Sequence, residues 1–455
     1  MIDGLSLADT ARLTDAERRQ LGHDLRRSVP RHAHAAWMPP SGRADPVTVL
    51  AGANAGLIAE LLPVRYARMQ GDAFAFLRGS AALMAADLAT CPTTGLRVQA
   101  CGDAHLGNFG AHASPEGTPV FDVNDFDETL PAAFEWDVKR LATSLVVAGR
   151  VRGLPDRAAR ALARRAARAY RLQMLALSAL PPLAAWRSRI DLEHAIDDIG
   201  DRDVRRRERV QLAAVMAANR DAYSHLVSAD GLALKLREKP PLLYRLPEQE
   251  ALAHGVFAGY LHSLPVEQRA VVERYTLRDV AFKVVGVGSV GTFCAIGLFA
   301  TADGHALLLQ LKEARRSVLA PYAGESVLSH QGQRVVSGQR LMQASADVFL
   351  GWAEQPLGPR QFYVRQLKDP RLAAISGRIE ADVLRPTAQL SGRTLARAHA
   401  RTGDSARIAG YLGDGDAFDL AIADFAVAYA DQTWADYQVF CTAIRSGRLT
   451  AGSGR

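Results

Sequence analysis

The sequence predicts an α+β fold in which a small antiparallel β-sheet lobe is joined to a large helical lobe. Three apolar runs between Asp279 and Leu311 are separated by turn residues, which is typical of antiparallel strands. Long segments on either side place alanine and leucine at helical spacing, which predicts amphipathic helices. A chain of 455 residues is too long for one small core, so we expect one bilobal unit or two to three domains.

The predicted elements divide the chain into four segments. Residues 1–100 form an N-terminal helical segment with breaks at Pro39-Pro40 and near Gly71, and FAFLRGSAALMAADLA is expected to be a loop entering a helix. Residues 101–275 contain two long helices, separated at GLP, and then a charged connector of short helices. Residues 276–375 form the β-rich lobe, with strands at DVAFKVV, TFCAIGLF, ALLLQLK and FYVRQL and a helix over GQRVVSGQRLMQASADVFL. Residues 376–455 are again helical and are expected to complete the helical lobe.

Composition excludes several classes of protein. The four cysteines are scattered without a CxxC pair, which argues against a structural zinc site and a disulfide scaffold. The first residues lack the pattern of a secretory signal, and no apolar run is long enough to span a membrane, so we expect a cytoplasmic protein. The net charge of +7 comes mainly from arginine. The run RDVRRRER has no interleaved aromatic residue, which favours solvated helix faces over a nucleic-acid site.

A glycine-rich loop follows the first predicted strand. Gly286, Gly288 and Gly291 form a G-x-G-x-x-G pattern that contains Ser289. A dinucleotide-binding fingerprint needs a helix after this loop, whereas here a second strand follows, as in the loop that covers the nucleotide phosphates in kinases. The same pattern also occurs in plain β-turns. Lys312, at the end of the third strand, is placed to hold phosphates as a point charge, as the strand lysine of kinases does.

Two further side chains are candidates for this nucleotide site. Kinases pair the strand lysine with a helix acid, for which Glu325 is the nearest candidate, because the adjacent Glu313 would point to the other face of the sheet. Arg78 stands beside a glycine-serine turn and is either a bidentate phosphate ligand or a surface arginine.

The stretch CGDAHLGNFG places an acid, an imidazole and an amide in one short run. Asp103 and Asn108 have the five-residue spacing of the catalytic aspartate and the metal-binding asparagine in kinase catalytic loops. The run FDVNDFDE then supplies Asp125 and Asp127, whose oxygens suit magnesium. Asp125 precedes a phenylalanine, as does the metal-binding aspartate of the D-F-G motif. These residues predict a magnesium and phosphate site.

The order of these motifs is the reverse of the order in kinases. The acid motifs precede the glycine loop, so both assignments together predict a circularly permuted kinase-like fold. A collinear alternative uses Asp404 and Asp424, but Ala409 occupies the position where asparagine is needed, and ADFAVAYADQ has a helical pattern. LARAHARTGD is more typical of the helix that precedes a catalytic loop, which would place the permutation breakpoint near it. His399 and Asp404 are then candidates to line the cleft.

The chain resembles a bacterial family known as domain of unknown function 2252 over most of its length, from about Arg65 to Tyr437. The resemblance is carried by FAFLRGSAALMAADLA, GDAHLGNFG, VFDVNDFDETL, FEWDVKRLATSL, VVGVGSVGTF, LLLQLKEA, GQRVVSGQRLMQ, FYVRQLKD and LARAHARTGD. That family has no settled activity, so the resemblance implies none.

A more distant resemblance is to the aminoglycoside-phosphotransferase and choline-kinase branch of the kinase-like superfamily. GDAHLGN, NDFDE and EWDVKRLA are similar to the motifs of that branch. The resemblance implies a catalytic Asp103 with His105 as the loop histidine, metal ligands at Asn108 and Asp125, and a helix-anchoring acid at Asp137.

The chain departs from that branch in three ways. Cys101 replaces the leading histidine, Asn124 precedes the metal acid, and the lobes are permuted. The predicted function is an ATP- and magnesium-dependent phosphotransferase that acts on a hydroxyl group of a small molecule or protein. Three alternatives stay open, namely a metal-dependent phosphoesterase, a non-catalytic nucleotide-binding regulator, and a nucleotidyl transferase.

Overall fold

The computed structural model describes residues 7–10, 12–217, 226–230, 233–240, 242–284, 286–369, 371–372 and 380–452. Within these ranges the α-helices span Leu7–Thr10, Asp15–Asp24, Pro46–Ala53, Leu62–Met69, Ala73–Gly79, Ala81–Leu88, Phe134–Val151, Asp156–Leu177, Pro182–Arg187, Leu192–Asp197, Arg202–Ala217, Pro247–Tyr260, Val266–Val272, Ala320–Ala323, Gln331–Met342, Leu384–Ala400, Ser405–Leu412 and Ala417–Arg445. The strands are β1 (Arg97–Ala100), β2 (Phe109–Ala113), β3 (Pro119–Val123), β4 (Leu130–Ala133), β5 (Val227–Asp230), β6 (Ala233–Leu236), β7 (Leu243–Tyr244), β8 (Thr276–Lys283), β9 (Cys294–Ala300), β10 (Ala306–Ala314), β11 (Gly351–Glu354) and β12 (Gln361–Gln366). The predicted α+β class is confirmed.

The largest sheet is antiparallel and has the strand order β11-β12-β10-β9-β8-β7. Strands β8, β9, β10 and β12 are the four that the sequence predicts. Aromatic side chains of the sheet, Phe293, Phe299 and Phe362, pack in one core with Phe257 and Tyr260 of the helix Pro247–Tyr260. The sheet is therefore stabilised on this face by a helix that lies between β7 and β8 in the chain.

The predicted helix after Ser326 is shorter than the pattern indicates. It ends at Met342, and β11 begins a few residues later at Gly351. The carboxylate of Asp347 accepts hydrogen bonds from the backbone N–H groups of Phe349 at 2.8 Å and Gln366 at 2.5 Å. These bonds fix a turn where the sequence predicts helix, because side-chain acceptors of this kind compete with the helical backbone bonds.

The helical lobe is built around the helix Phe134–Val151, in which the side chains from Phe134 to Gly149 are all buried. The helix Asp156–Leu177 packs against it, as do Leu384–Ala400 and Ala417–Arg445. The predicted pair of long helices is confirmed, and Gly153, with a φ of 77°, forms the break between them. A helix that is buried on all sides is expected at the centre of a bundle.

The expectation of a loop in the first half of FAFLRGSAALMAADLA is wrong. Residues Ala73–Gly79 form a helix, and a break at Ser80 separates it from the helix Ala81–Leu88. The carboxylate of Asp72 accepts a hydrogen bond from Ala75 N at 2.7 Å, so it caps the first helix and stabilises so short an element.

The end of the helix Leu384–Ala400 meets β1 although the two are about 300 residues apart in the chain. The backbone N–H of Gln99 donates a hydrogen bond to Thr402 Oγ1 at 3.0 Å. A side chain at Gly403 would lie 2.6 Å from Val98 Cγ1, so glycine permits this close approach. In space the helix therefore leads into the strand that precedes Asp103. No helix in the described part of the chain is long and apolar enough to cross a membrane.

Candidate functional site

A pocket of about 440 Å³ lies between the β-sheet lobe and the helical lobe. Its volume is within the range of small-molecule sites. The candidates that line it come from both halves of the chain and are Arg78, Asp103, Asn108, Asp125, Asp127, Gly288 and Ser289. Five other candidates, His105, Gly286, Gly291, Lys312 and Glu325, are not part of the lining. The pocket therefore joins the glycine loop to the two acidic stretches, which are far from it in sequence.

The backbone before Asp103 is held by a buried carboxylate. Asp137, near the start of the helix Phe134–Val151, accepts hydrogen bonds from Cys101 N at 2.6 Å and Gly102 N at 3.0 Å. Gly102 has a φ of 83°, and a side chain there would lie 2.4 Å from the carbonyl oxygen of Glu128, so glycine is required. The loop that carries Asp103 is thus fixed to the central helix.

The carboxylate of Asp103 is itself held by an arginine of that helix. Arg140 donates from Nε at 2.9 Å and from Nη2 at 2.6 Å to Asp103 Oδ1, which leaves Oδ2 for a ligand. Asn108 Nδ2 donates to the carbonyl oxygen of Asp103 at 2.8 Å, which leaves the oxygen of that amide for another partner. The sequence does not predict Arg140, although its position three residues after Asp137 on one helix face is a usable signal.

His105 lies beneath the loop and not in the pocket. Its side chain is 4% exposed, and Nε2 is 3.7 Å from Asp103 Oδ2. Burial lowers the pKa of His105 to about 4, with a smaller opposing effect from the charge of Asp103 and lowering effects from Arg78 and Arg140. A neutral imidazole at physiological pH supports the loop by packing and by its nearness to Asp103, and it is not placed to exchange protons with a ligand.

The two acids that follow β3 surround the amine of Lys312. Lys312 Nζ lies 2.7 Å from Asp127 Oδ2 and 3.7 Å from Asp125 Oδ1, and its side chain is 2% exposed. Burial lowers the pKa of Lys312, but the two carboxylates outweigh this effect and raise it well above the usual value. Burial would raise the pKa of Asp125, but the charges of Lys312, Arg365 and Lys368 lower it to about 2.

A magnesium ion fits the site only with few protein ligands. In the described ranges no group of three or more His, Cys, Asp or Glu side chains is arranged to hold a metal. Magnesium, however, commonly takes one or two carboxylates and completes its shell with water and substrate phosphates. Asn108 and Asp125 line the same pocket, and an amide oxygen and a carboxylate match that chemistry.

The glycine loop is held by the N-terminal helical segment, which the sequence does not predict. The guanidinium of Arg65 donates to the carbonyl oxygens of Val287 at 3.1 Å and Val290 at 3.3 Å. Arg68 donates to Gly286 O at 2.6 Å, and Ile58 N donates to Gly291 O at 2.8 Å. Because the carbonyl groups of the loop are satisfied from outside, its backbone is held in a fixed conformation at the edge of the pocket.

Arg78 reaches the pocket from the end of the helix Ala73–Gly79. Its Nε is buried without a hydrogen-bond partner among the described residues. Burial lowers its pKa, and the carboxylates of Asp103, Asp125 and Asp72 oppose that effect. An arginine that is recessed and whose Nε has no partner among the described residues is suited to bind an anion in the pocket.

The predicted pairing of a glutamate with Lys312 is not made. Glu325 forms an exposed ion pair with Arg316 on the surface. Glu313 accepts a hydrogen bond from Phe293 N at 3.1 Å. The helix Gln331–Met342 contains no acid at all. Lys312 is instead held by Asp127, which had been expected to bind metal.

Asp404, Asp424 and His399 lie outside the pocket lining. His399 is fully buried and bonds Asp137 Oδ2 at 3.1 Å, so it supports the loop that carries Asp103 from behind. Asp404 caps the helix Ser405–Leu412 by accepting from Arg407 N at 3.1 Å. Asp424 is half exposed and pairs with Arg160. The collinear alternative therefore has no counterpart in this pocket.

Comparison with known proteins identifies a family. Residues 57–443 match the family model described as an uncharacterized protein conserved in bacteria, DUF2252, so the chain belongs to that family, as the sequence motifs indicate. No curated protein and no solved structure matches the chain.

Proposed function

We propose that this DUF2252 protein is an ATP- and magnesium-dependent phosphotransferase with a permuted kinase-like fold that acts on a hydroxyl group. The nucleotide phosphates lie against the glycine loop and Arg78, and the buried amine of Lys312 attracts them as a point charge. Asn108 and Asp125 hold magnesium, and Asp103 orients the acceptor. The observation that carries this proposal is the single pocket that joins Gly288 and Ser289 to Asp103, Asn108 and Asp125.

The sheet supports this assignment of the phosphate-binding groups. The glycine loop connects β8 and β9, and Lys312 is on β10, which pairs with β9. Kinases have the same order of loop and lysine, in which backbone N–H groups of the loop cover the phosphates and the lysine contacts them. Carbonyl groups of the loop are bonded to Arg65 and Arg68, and the N–H groups of Val290 and Thr292 donate within the loop, so the phosphates are assigned to the N–H groups of Gly288 and Ser289, which line the pocket.

The junction between β1 and the helix Leu384–Ala400 supports the permutation. In a kinase that is not permuted, a helix leads directly into the catalytic loop, and here the helix end bonds to the strand before Asp103 through Thr402 and Gln99. The helix end and the strand are therefore neighbours in space although they are far apart in the sequence. This is expected of a permuted fold, in which the original surface termini are joined and the chain begins elsewhere.

Asn108 and Asp125 are the residues that would hold magnesium, which supplies positive charge to the phosphates as they transfer. Asn108 is fixed for this role by its bond to the Asp103 carbonyl, and Asn124 N bonds back to Asn108 O at 2.8 Å, which joins the two loops. The low pKa of Asp125 keeps it a carboxylate at any physiological pH.

Asp103 is suited to orient the acceptor hydroxyl rather than to remove its proton early. Arg140 occupies one oxygen of the carboxylate with two charge-assisted hydrogen bonds, which fixes the direction of the other oxygen. The free Oδ2 accepts a hydrogen bond from the hydroxyl and directs the oxygen lone pair at the phosphoryl group. Catalysis then rests on positioning and on charge neutralisation: the bond from the acceptor oxygen to the γ-phosphorus forms as the bond to the β-phosphate oxygen breaks, ADP leaves, and the hydroxyl proton passes late in the step to Asp103 Oδ2.

The test is transfer of label from ATP in the presence of magnesium. The wild-type protein is incubated with γ-labelled or α-labelled ATP and a panel of alcohols and proteins, and the Asp103→Asn variant serves as the matched inactive form. We expect γ-label to transfer and the variant to lose at least about 100-fold in rate, in line with the loss of one positioning group. Transfer of α-label would instead identify a nucleotidyl transferase. Full activity in Asp103→Asn would contradict the role of this residue.

The ion pair between Arg140 and Asp103 also favours a second candidate, a nucleotide-binding protein without catalysis. A carboxylate held this way serves as a structural anchor equally well. The two candidates differ in turnover. Under this second function magnesium-ATP binds and is recovered intact after prolonged incubation with every acceptor.

A further inference from the structure

We infer that Asp127 is the residue that positions Lys312, in the role that a helix glutamate has in kinases, and that it is not a metal ligand. This assignment deepens the proposed function and rests on it. It separates two acids of one loop, Asp125 for magnesium and Asp127 for the lysine, both of which the sequence offers as magnesium ligands.

Both oxygens of Asp127 are already bonded to protein donors. Lys312 Nζ is 2.7 Å from Oδ2, and the hydroxyl of Tyr363 donates to Oδ1 at 2.6 Å. Asp125 is engaged much less closely, because its nearest cation is 3.7 Å away and the N–H of Asp127 is 3.4 Å from its Oδ1. A metal at Asp127 would have to displace a buried amine or a buried phenol, whereas a metal at Asp125 displaces neither.

The geometry of the sheet explains how one carboxylate reaches both donors. Lys312 on β10 and Tyr363 on β12 are direct cross-strand partners, so their side chains emerge side by side on the same face. Lys312 Nζ also lies 5.3 Å from the centre of the Tyr363 ring. A single acid presented to that face bonds both, and the side chains of both are nearly fully buried there.

The helix Gln331–Met342 contributes an arginine in place of a glutamate. Arg334 on the helix Gln331–Met342 donates to the carbonyl oxygens of Thr129 at 2.6 Å and Asp127 at 2.9 Å. The helix therefore holds the backbone of the acidic loop, and the loop in turn holds Lys312 through the Asp127 side chain. The lysine is positioned by the same loop that carries the metal acid, without a direct bond to the helix.

The experiment measures ADP affinity by calorimetry with and without magnesium for the wild type, Asp127→Asn, Asp125→Asn and Tyr363→Phe. Asp125→Asn should abolish the gain in affinity that magnesium gives the wild type. Asp127→Asn should bind ADP about 10-fold more weakly in both conditions and keep that gain, because its defect lies in the lysine. Tyr363→Phe should behave as a milder form of Asp127→Asn, with a loss of about 3-fold, and it remains informative if Asp127→Asn does not fold.

The outcomes distinguish a failure of the Asp127 assignment from a failure of the proposed function. If Asp127→Asn loses the magnesium effect as Asp125→Asn does, Asp127 is a metal ligand and the assignment is overturned while the proposed function stands. If Asp127→Asn binds ADP as tightly as the wild type in both conditions, the residue has no positioning role. If the wild type binds no ADP with magnesium, the proposed function fails, and the assignment fails with it.

Discussion

Replacement of Asp137 by asparagine tests how the Asp103 loop is held. Asp137 is 2% exposed and accepts three hydrogen bonds, from Cys101 N, Gly102 N and His399 Nε2. Asparagine has the same shape but only one acceptor oxygen. Its NH2 group would face either the N–H of Gly102, or both the N–H of Cys101 and the imidazole of His399, and the donors that it faces would lose their partner. The Asp103 loop would then lose one of the two backbone bonds that set its position.

The expected loss of stability follows from these bonds. A hydrogen bond to a charged group contributes about 1.5–3 kcal/mol, and a buried donor left without a partner costs about 1–3 kcal/mol. Because asparagine keeps at least one of the three bonds, we expect Asp137→Asn to lower the free energy of unfolding by about 2–4 kcal/mol. The total stability of folded proteins is about 5–15 kcal/mol, so the variant should still fold.

Asp419→Asn provides the matched control. Asp419 is fully buried and pairs with Arg171 in the helical lobe, at 2.8 Å and outside the pocket lining. Its loss should destabilise the protein by a similar amount, because a buried charge is left unpaired. Urea unfolding measures both stabilities, and label transfer from ATP measures activity. Asp137→Asn should lose about 100-fold in rate at folded concentrations, since displacement of a catalytic group by about 1 Å has that effect. Equal activity of the two variants would refute the anchoring role of Asp137.

Three further predictions follow from other parts of the molecule. Arg65→Met removes the bonds to the glycine-loop carbonyls and should weaken ADP affinity about 10-fold by calorimetry, whereas Arg160→Met, at the surface pair with Asp424, should leave it unchanged. Burial lowers the pKa of His34 to about 3, so the unfolded state binds more protons between the usual value of 6.5 and about 3. The stability is thus complete above pH 6.5 and falls by up to about 2.7 kcal/mol on going to pH 4.5, and His34→Gln should flatten the dependence of urea unfolding on pH. A methyl group at Gly338 would lie 2.3 Å from Thr129 Cγ2, so Gly338→Ala should lower the melting temperature through about 1–3 kcal/mol of overpacking, whereas Gly52→Ala, with open space around it, should not lower it.

Local sequence patterns are sufficient to predict many of the helices and strands. Alternation and turn residues locate β8, β9, β10 and β12, and helical spacing locates the long helices on either side of Gly153. The helix Ala73–Gly79 escapes prediction because it is short and depends on one cap at Asp72. Strand β11 escapes because it is only four residues long and follows a helical pattern that tertiary bonds interrupt.

The candidate site can likewise be predicted where its residues lie within short stretches of sequence, but its contacts between distant segments cannot. The spacing of Asp103 and Asn108, the acids at Asp125 and Asp127, and the glycine loop are all visible in short stretches, and the pocket brings them together. Contacts between distant segments are not visible. The bond of Lys312 to Asp127 joins residues 185 positions apart, and its choice over Glu325 depends on which loop packs beneath β10. By analogy with kinases the sequence predicts a glutamate as the partner of Lys312, whereas in the structure the partner is Asp127.

The central claim is that both halves of the chain build one nucleotide site, and calorimetric titration with magnesium-ATP tests it most directly. The wild type, Lys312→Ala and Asp125→Ala are compared, with Asp419→Asn as the control for stability. We predict one ATP bound per chain, an affinity at least about 10-fold weaker in each of the two site variants because each loses one charged partner of the nucleotide complex, and no change in the control. Binding that is equally tight in the wild type and both site variants, or no binding to the wild type, would contradict the account.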